Sequence, residues 1–218
     1  MAIAERRERE KEALRTRIVE AARDIISEAG LDALSMRSIA ERIEYSPGTI
    51  YLYFRDKEAL LGEVIKAGFE RMGEYIAEEL SAAGVEANAA RQHRALGRAY
   101  ARFALENTAY FRVMFELPSV PHAECLECPA EHVPGSSKAL LVDAIQRAID
   151  AGLYRIEDAE TGALIAWGLI HGLTSLYLSG HCGMTVRTQE AFMGIVERAM
   201  DSLAEGWAPR ETGAGPAA

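Results

Sequence analysis

Cysteine, proline and aromatic residues are scarce in this chain of 218 residues, and each shortage narrows what the protein can be. Three cysteines are an odd number and too few for a disulfide framework, which fits a reducing compartment. Four of the seven prolines fall in one stretch, PSVPHAECLECPAEHVPGSS, so most of the remaining chain is free to be helical. No apolar run reaches the ~18 residues expected of a membrane-spanning helix. The N-terminus, MAIAERRERE, has charge but no apolar segment after it, so it does not read as a secretory signal. A cytoplasmic protein with no membrane partner is expected. Strand alternation, internal repeats and low-complexity blocks are also missing. So are a nucleophile–base pair, a phosphate-cradling glycine loop and paired Glu-x-x-His ligands, and the chain is not read as an enzyme.

Positive charge is short overall: the formal net charge is −9. It is not short everywhere. Residues 1–60 carry 11 basic and 12 acidic side chains, so nearly all the excess acidity lies beyond them. Arg6, Arg7, Arg9, Lys11, Arg15 and Arg17 make the start locally basic despite three interleaved glutamates. That balance argues against a general nucleic-acid coat but leaves room for DNA binding at one end; the charge run also reads as a solvated helix end.

What is abundant is helical periodicity. Leu14, Ile18, Ala21, Ala22, Ile25, Ile26 and Ala29 mark one buried face, and Gly30 stops that helix. Ser35 is a good N-cap for MRSIAERI. Ser46 caps the next helix with Pro47 in its first turn, and Asp56 caps a long fourth. SAAGVEANAA marks a bend. RQHRALGRAYARFALEN, AYFRVMFEL and three closing segments near 137–151, 158–179 and 188–205 also read as helices. The predicted architecture is all-α, with about nine helices. The expected divisions are a charged arm (1–12), a DNA-binding domain (13–58), a helical effector-binding and dimerisation domain (59–206), and a frayed tail (207–218) beginning WAPRETGAGPAA.

The stretch SPGTIYLYFRDKEALL concentrates hydroxyls and aromatics on a short helix. Ile50 and Phe54 are i, i+4 and point inward; Thr49 and Tyr53, also i, i+4, occupy a neighbouring face. A short bracing helix, a tight turn and a second short helix form the layout of a helix-turn-helix, whose second helix enters the major groove. Tyrosine and threonine hydroxyls bond phosphate oxygens, and a threonine methyl can touch a thymine methyl. Lys57, in the first turn of the long helix, is placed for a phosphate beside that helix start.

The segment SMRSIAERIEYSPGTIYLYFRDKEALL resembles the DNA-binding segment of the tetracycline-repressor (TetR/AcrR) family, whose pattern is close to IAxxAGVSxGTLYxYFxxKExLL. Ile39, Ala40, Ser46, Gly48, Thr49, Ile50, Tyr51, Tyr53, Phe54, Lys57, Glu58, Leu60 and Leu61 match it in order. The resemblance implies an all-helical homodimer with N-terminal reading heads. It implies DNA contacts from Ser35, Arg37, Ser46, Gly48, Thr49, Tyr51, Tyr53 and Lys57. One position departs: Glu44 stands where the family usually has glycine. Either the turn has another geometry, or a non-glycine residue sits in a left-handed conformation there at about 1–2 kcal/mol.

Further on, AWGLIHGLTSLYLSG resembles the WHG-type C-terminal domain of many such regulators, with Trp167, Gly168, His171 and Gly172 as the naming residues. Phe103, Tyr110, Phe111, Met114, Trp167 and His171 are expected around a small apolar effector; a plain hydrophobic core is the competing reading. Gly168 and Gly172 are expected to let another helix come close. The last two helices are expected to form a homodimer's four-helix bundle.

His122, Cys125, Cys128 and His132 have the spacing H-x2-C-x2-C-x3-H. Thiolate and imidazole ligands at that spacing suit zinc or another transition metal. Haem ligation through Cys128, redox sensing by the two cysteines, and an incidental surface loop are the alternatives. Together these readings give a repressor that binds an inverted-repeat operator in double-stranded DNA and is released by a small molecule. The rivals are a metal- or redox-responsive regulator and a helical ligand or metal carrier.

Overall fold

Side chains at the helix starts decide where the helices begin. In the computed structural model, which describes residues 3–84, 89–115, 136–183 and 186–209, Asp56, Ser136, Asp158 and Thr188 each accept a hydrogen bond from the backbone N–H three residues on, at 2.7–3.2 Å. These caps satisfy amides that a helix start leaves open. The bond from the Thr161 amide also holds the Asp158 carboxyl below its ordinary value. Gly30, at φ 82°, ends the first helix.

The described residues form nine α-helices and no strand. They are α1 (Ile3–Ala29), α2 (Met36–Ile43), α3 (Pro47–Tyr51), α4 (Lys57–Ala83), α5 (Ala89–Glu106), α6 (Thr108–Phe115), α7 (Ser137–Asp150), α8 (Ala159–Leu178) and α9 (Gln189–Trp207). A 3-10 turn, Leu31–Ala33, follows α1. The expected charged arm is mostly the start of α1, where Arg6 pairs with Glu10.

The helices gather into two compact units. The first holds α1, α2, α3, α6 and the part of α4 up to Arg71. Its core is Ile18, Ala22, Ile39, Ile50, Phe54, Leu60 and Val64, with Phe111 and Val113 of α6 equally buried. The Arg23 guanidinium lies over the Tyr110 ring at 5.0 Å, and Gly68 leaves the space that Met114 fills. The first unit thus reaches past the expected boundary at residue 58, because α6 brings apolar surface that α1 and α4 need to cover.

The second unit holds the rest of α4 with α5, α7, α8 and α9. Ile145, Ala148, Tyr154, Ala159, Ala163, Ala166 and Trp207 form one cluster. Trp207 was expected in a frayed tail. Instead it is buried, its ring stacked on His93 with centroids 5.5 Å apart, and its carbonyl accepts from the Arg155 amide at 2.8 Å. Glu79, on the inner face of α4, is buried and accepts from Arg98 at 3.1 Å and Arg102 at 2.7 Å. A buried carboxylate needs such partners, since an unpaired one is costly.

In α8 the buried residues are Ala159, Gly162, Ala163, Ala166, Ile170 and Thr174, a stripe at helical spacing made mostly of small side chains. Leu164, Ile165, Trp167 and Leu176 are exposed. In this second unit the close approaches that glycine permits occur at Gly162, against Ile145 and Ile156, and at Gly97, against Met200. At Gly168 and Gly172 an added Cβ would meet nothing within 4 Å among the described residues, so no described helix of the same chain makes the close approach there. α8 is also long and apolar enough to cross a membrane by length and composition alone.

Candidate nucleic-acid interface

The bracing helix α2 starts at a reciprocal cap. Ser38 N–H donates to Ser35 Oγ at 3.0 Å, and Ser35 N–H donates to Ser38 Oγ at 2.9 Å. Two open donors are satisfied at once, with serine in the place usually held by glutamate. Ser35 is thereby a structural residue as well as an expected DNA contact. Arg37 projects from the first turn, exposed and paired with Glu41 at 2.9 Å. An exposed pair of this kind contributes little to stability, so the guanidinium can change partners readily.

The α2–α3 turn resolves the question raised by Glu44. Its φ is 62° and ψ 43°, a left-handed conformation. Tyr45 N–H reaches back to the Ala40 carbonyl at 2.9 Å, closing the end of α2. The turn therefore keeps the geometry that favours glycine, and the chain carries the strain of a side chain there.

α3 is capped by Ser46, whose Oγ accepts from Thr49 N–H at 3.2 Å and lies 2.9 Å from Thr49 Oγ1. Pro47 sits in the first turn, where a missing N–H is harmless. Ile50 and Phe54 are buried, and the Arg15 guanidinium covers the Phe54 ring at 5.1 Å. Arg15 is itself held by Glu63 at 2.9 Å, a hydrogen bond that raises the guanidinium's pKa and lowers the carboxyl's. This inner side fixes the outer one. Tyr51 is 57% exposed, Gly48 is open, and Thr49, Tyr53 and Lys57 are partly exposed.

Lys57 opens α4, and its ammonium donates to the Leu31 carbonyl at 2.7 Å. One of its three donors is thus used within the chain. Two exposed residues on this side were not singled out from the sequence. Tyr45 stands in the turn with the Arg17 guanidinium 5.8 Å from its ring centre, and Leu52, just after α3, is 82% exposed. Leu52 was legible in principle, because on a helix it lies opposite Ile50.

The expected effector residues divide between the units. Tyr110, Phe111 and Met114 belong to α6 in the first, where they are buried. Phe103, Trp167 and His171 belong to the second. There Tyr100 Oη lies 2.8 Å from His171 Nδ1, and Trp167 Nε1 donates to Tyr100 Oη at 3.4 Å. Burial pushes the Tyr100 phenol well above its ordinary value, so it stays neutral and able to donate. Phe103 is fully buried against Tyr75, while Trp167 is exposed. A separate cavity of about 340 Å³, not foreseen from the sequence, is lined by Glu79, Arg91, Arg94 and Arg98 with three alanines. His122, Cys125, Cys128 and His132 lie outside the described residues. Among those described, no group of three metal-ligating side chains occurs.

Residues 18–64 match the family model described as bacterial regulatory proteins, tetR family. Residues 93–200 match that of the tetracyclin repressor-like C-terminal domain. The HTH-type transcriptional regulator UidR of Escherichia coli K12 is 45% identical over 62 residues, 28% of this chain and 32% of that protein. The HTH-type transcriptional repressor KstR of Mycolicibacterium smegmatis is 41% identical over 58 residues, 27% of this chain and 28% of that one. The match thus spans about a third of these relatives' length or less. Among solved structures, a Rhodococcus sp. RHA1 protein of unknown function is 25% identical, with TM-score 0.70 over 90% of this chain and 96% of that one. The Bacillus subtilis regulator FadR, solved with stearoyl-CoA, shares the fold at 19% identity, with TM-score 0.70 over 88% of this chain and 98% of that one.

Proposed function

Because the chain belongs to the tetR family of bacterial regulatory proteins, we propose that it is a transcriptional repressor that binds an inverted-repeat operator as a homodimer and is released by a small-molecule effector. The observation that carries this reading is the outer side of α3, with Tyr51 exposed and hydroxyls around it over the buried pair Ile50 and Phe54. Phosphate oxygens accept from hydroxyls and ammonium groups, which sets the register on the duplex. Two reading heads about 34 Å apart match successive major grooves on one side of DNA.

The dimer forms through α8 and α9. Ile165, Gly168, Gly172 and Leu176 follow one another at helical spacing on the side of α8 that the described residues leave largely uncovered. Glycines there allow a partner helix to approach closely, and the flanking aliphatic groups supply area to bury.

The effector is a molecule with an apolar body, bound in the second unit near Trp167 and His171, whose bonds to Tyr100 give it polar groups to address. The stearoyl-CoA held by FadR is a ligand of that character. Release requires the effector to bind the DNA-incompetent conformer more tightly, and only that difference in affinity acts. No catalytic step is part of this reading.

Fluorescence anisotropy with the intergenic DNA beside the protein's own gene tests the proposal. Saturable binding that weakens steeply with salt is expected, since phosphate contacts release counterions. Absence of binding at low salt overturns it. The spacing of His122, Cys125, Cys128 and His132 supports a metal-responsive variant of the same reading. That variant requires DNA binding to differ between zinc and a chelator, and equal binding in both removes it.

A further inference from the structure

Two residues on the outer side of α3 have identities that packing within the chain does not explain. Leu52 is 82% exposed, more than any other large hydrophobic side chain among the described residues. One turn earlier is Gly48, where an added Cβ would meet only Ser46 Oγ, at an ordinary 3.7 Å. The chain has room for alanine there, and alanine is the better helix former. Leu52 continues the helical backbone of α3, with φ −72° and ψ −19°. At about 100° per residue it lies roughly 200° from the buried Ile50 and within about 40° of Gly48. Gly48 and Leu52 therefore share the meridian of α3 that points directly away from the core, flanked by Thr49 and Tyr51.

A single exposed leucine on an arbitrary surface needs no explanation. This one stands at the centre of the face that a helix-turn-helix presents to the major groove. Its side chain has no donor or acceptor for a phosphate or a base edge. The apolar group that a base pair offers in that groove is the C5-methyl of thymine. Gly48, with no side chain, lets the helix settle close enough for the contact.

We propose that Leu52 is a specificity-determining residue that packs on the methyl group of one thymine in each operator half-site. The inference rests on the DNA-binding reading above.

The test is to select binding sites from random duplex DNA with the full chain, then replace each thymine of the enriched operator in turn by deoxyuridine, which removes only the methyl. One position per half-site is expected to weaken binding about fourfold, the effect of losing one buried methyl. Leu52→Ala, at an exposed position, is expected to melt with the wild type and to be indifferent to the same replacement. A flat uracil scan on an enriched operator overturns the role of Leu52 and leaves DNA binding standing. So does a sensitive position that stays sensitive in Leu52→Ala, because the methyl then meets another residue such as Thr49. A chain that enriches no sequence overturns the DNA-binding reading and Leu52 with it.

Discussion

The Lys57 ammonium donates to the Leu31 carbonyl at 2.7 Å, joining the start of α4 to the turn that follows α1. A cation at a helix N-terminus is unfavourable to the helix dipole. The bond to Leu31 offsets part of that, and a phosphate beside the same helix start would offset more. Lys57→Ala is therefore expected to leave thermal stability nearly unchanged while weakening DNA binding for all sequences. The slope of log affinity against log salt should flatten by about one per protomer. A titration at several salt concentrations measures this. An unchanged slope would show that Lys57 serves only the Leu31 carbonyl.

Glu44 holds a left-handed conformation at φ 62°. Glu44→Gly is expected to stabilise the protein by about 1 kcal/mol, the relief of strain exceeding the extra flexibility of glycine when unfolded. Glu44→Gln keeps the strain and removes the charge. It should leave the urea midpoint in place and tighten DNA binding at low salt. Urea unfolding of both variants checks the assignment, which fails if the glycine variant is the less stable one.

His93 is almost wholly buried between Tyr154 and Trp207, with Nδ1 3.0 Å from Tyr154 Oη. Burial, with Arg94 nearby, pushes its pKa from 6.5 down to about 4. Between those values the unfolded chain holds a proton that the folded chain lacks. Stability from this group is fully present above pH 6.5 and declines as pH falls toward 4, by roughly 3 kcal/mol at most. His93→Phe should flatten that part of the pH–stability curve even if it lowers the curve as a whole. Equal pH dependence in the two proteins would refute the neutral buried state.

Ile165 and Leu176 lie on the uncovered side of α8. Replacing both with glutamate places like charges at the interface proposed above. The double variant is expected to sediment as a folded monomer with wild-type helical content and to lose operator affinity by orders of magnitude, because half-site binding is no longer coupled. A variant that remains dimeric would locate the interface elsewhere.

The reading surface was largely legible in the sequence because its determinants act over three or four residues. Ser35 and Ser46 cap helices whose amides lie three positions on, Pro47 is harmless only in a first turn, and Ile50 and Phe54 face inward by spacing alone. Even the departure at Glu44 could be posed as a choice between two backbone states. The local chemistry could not choose between them; the hydrogen bonds that close α2 did, with Tyr45 reaching back to Ala40.

Elsewhere the deciding partner is far along the chain. Trp207 reads as part of a frayed tail until His93, more than a hundred residues earlier, stacks on it. Glu79 is a charged side chain on an otherwise apolar face, and Arg98 and Arg102, about twenty residues further along, supply the partners that its burial requires. Gly168 and Gly172 have the spacing of a helix contact, yet among the described residues the close approaches fall at Gly68, Gly97 and Gly162. By itself the sequence determined the helices, their caps and the outward residues of α3, since propensity and capping are short-range. Only the tertiary structure decided which apolar faces are covered and which charges are buried, because burial depends on what packs above a residue rather than on its neighbours in the chain.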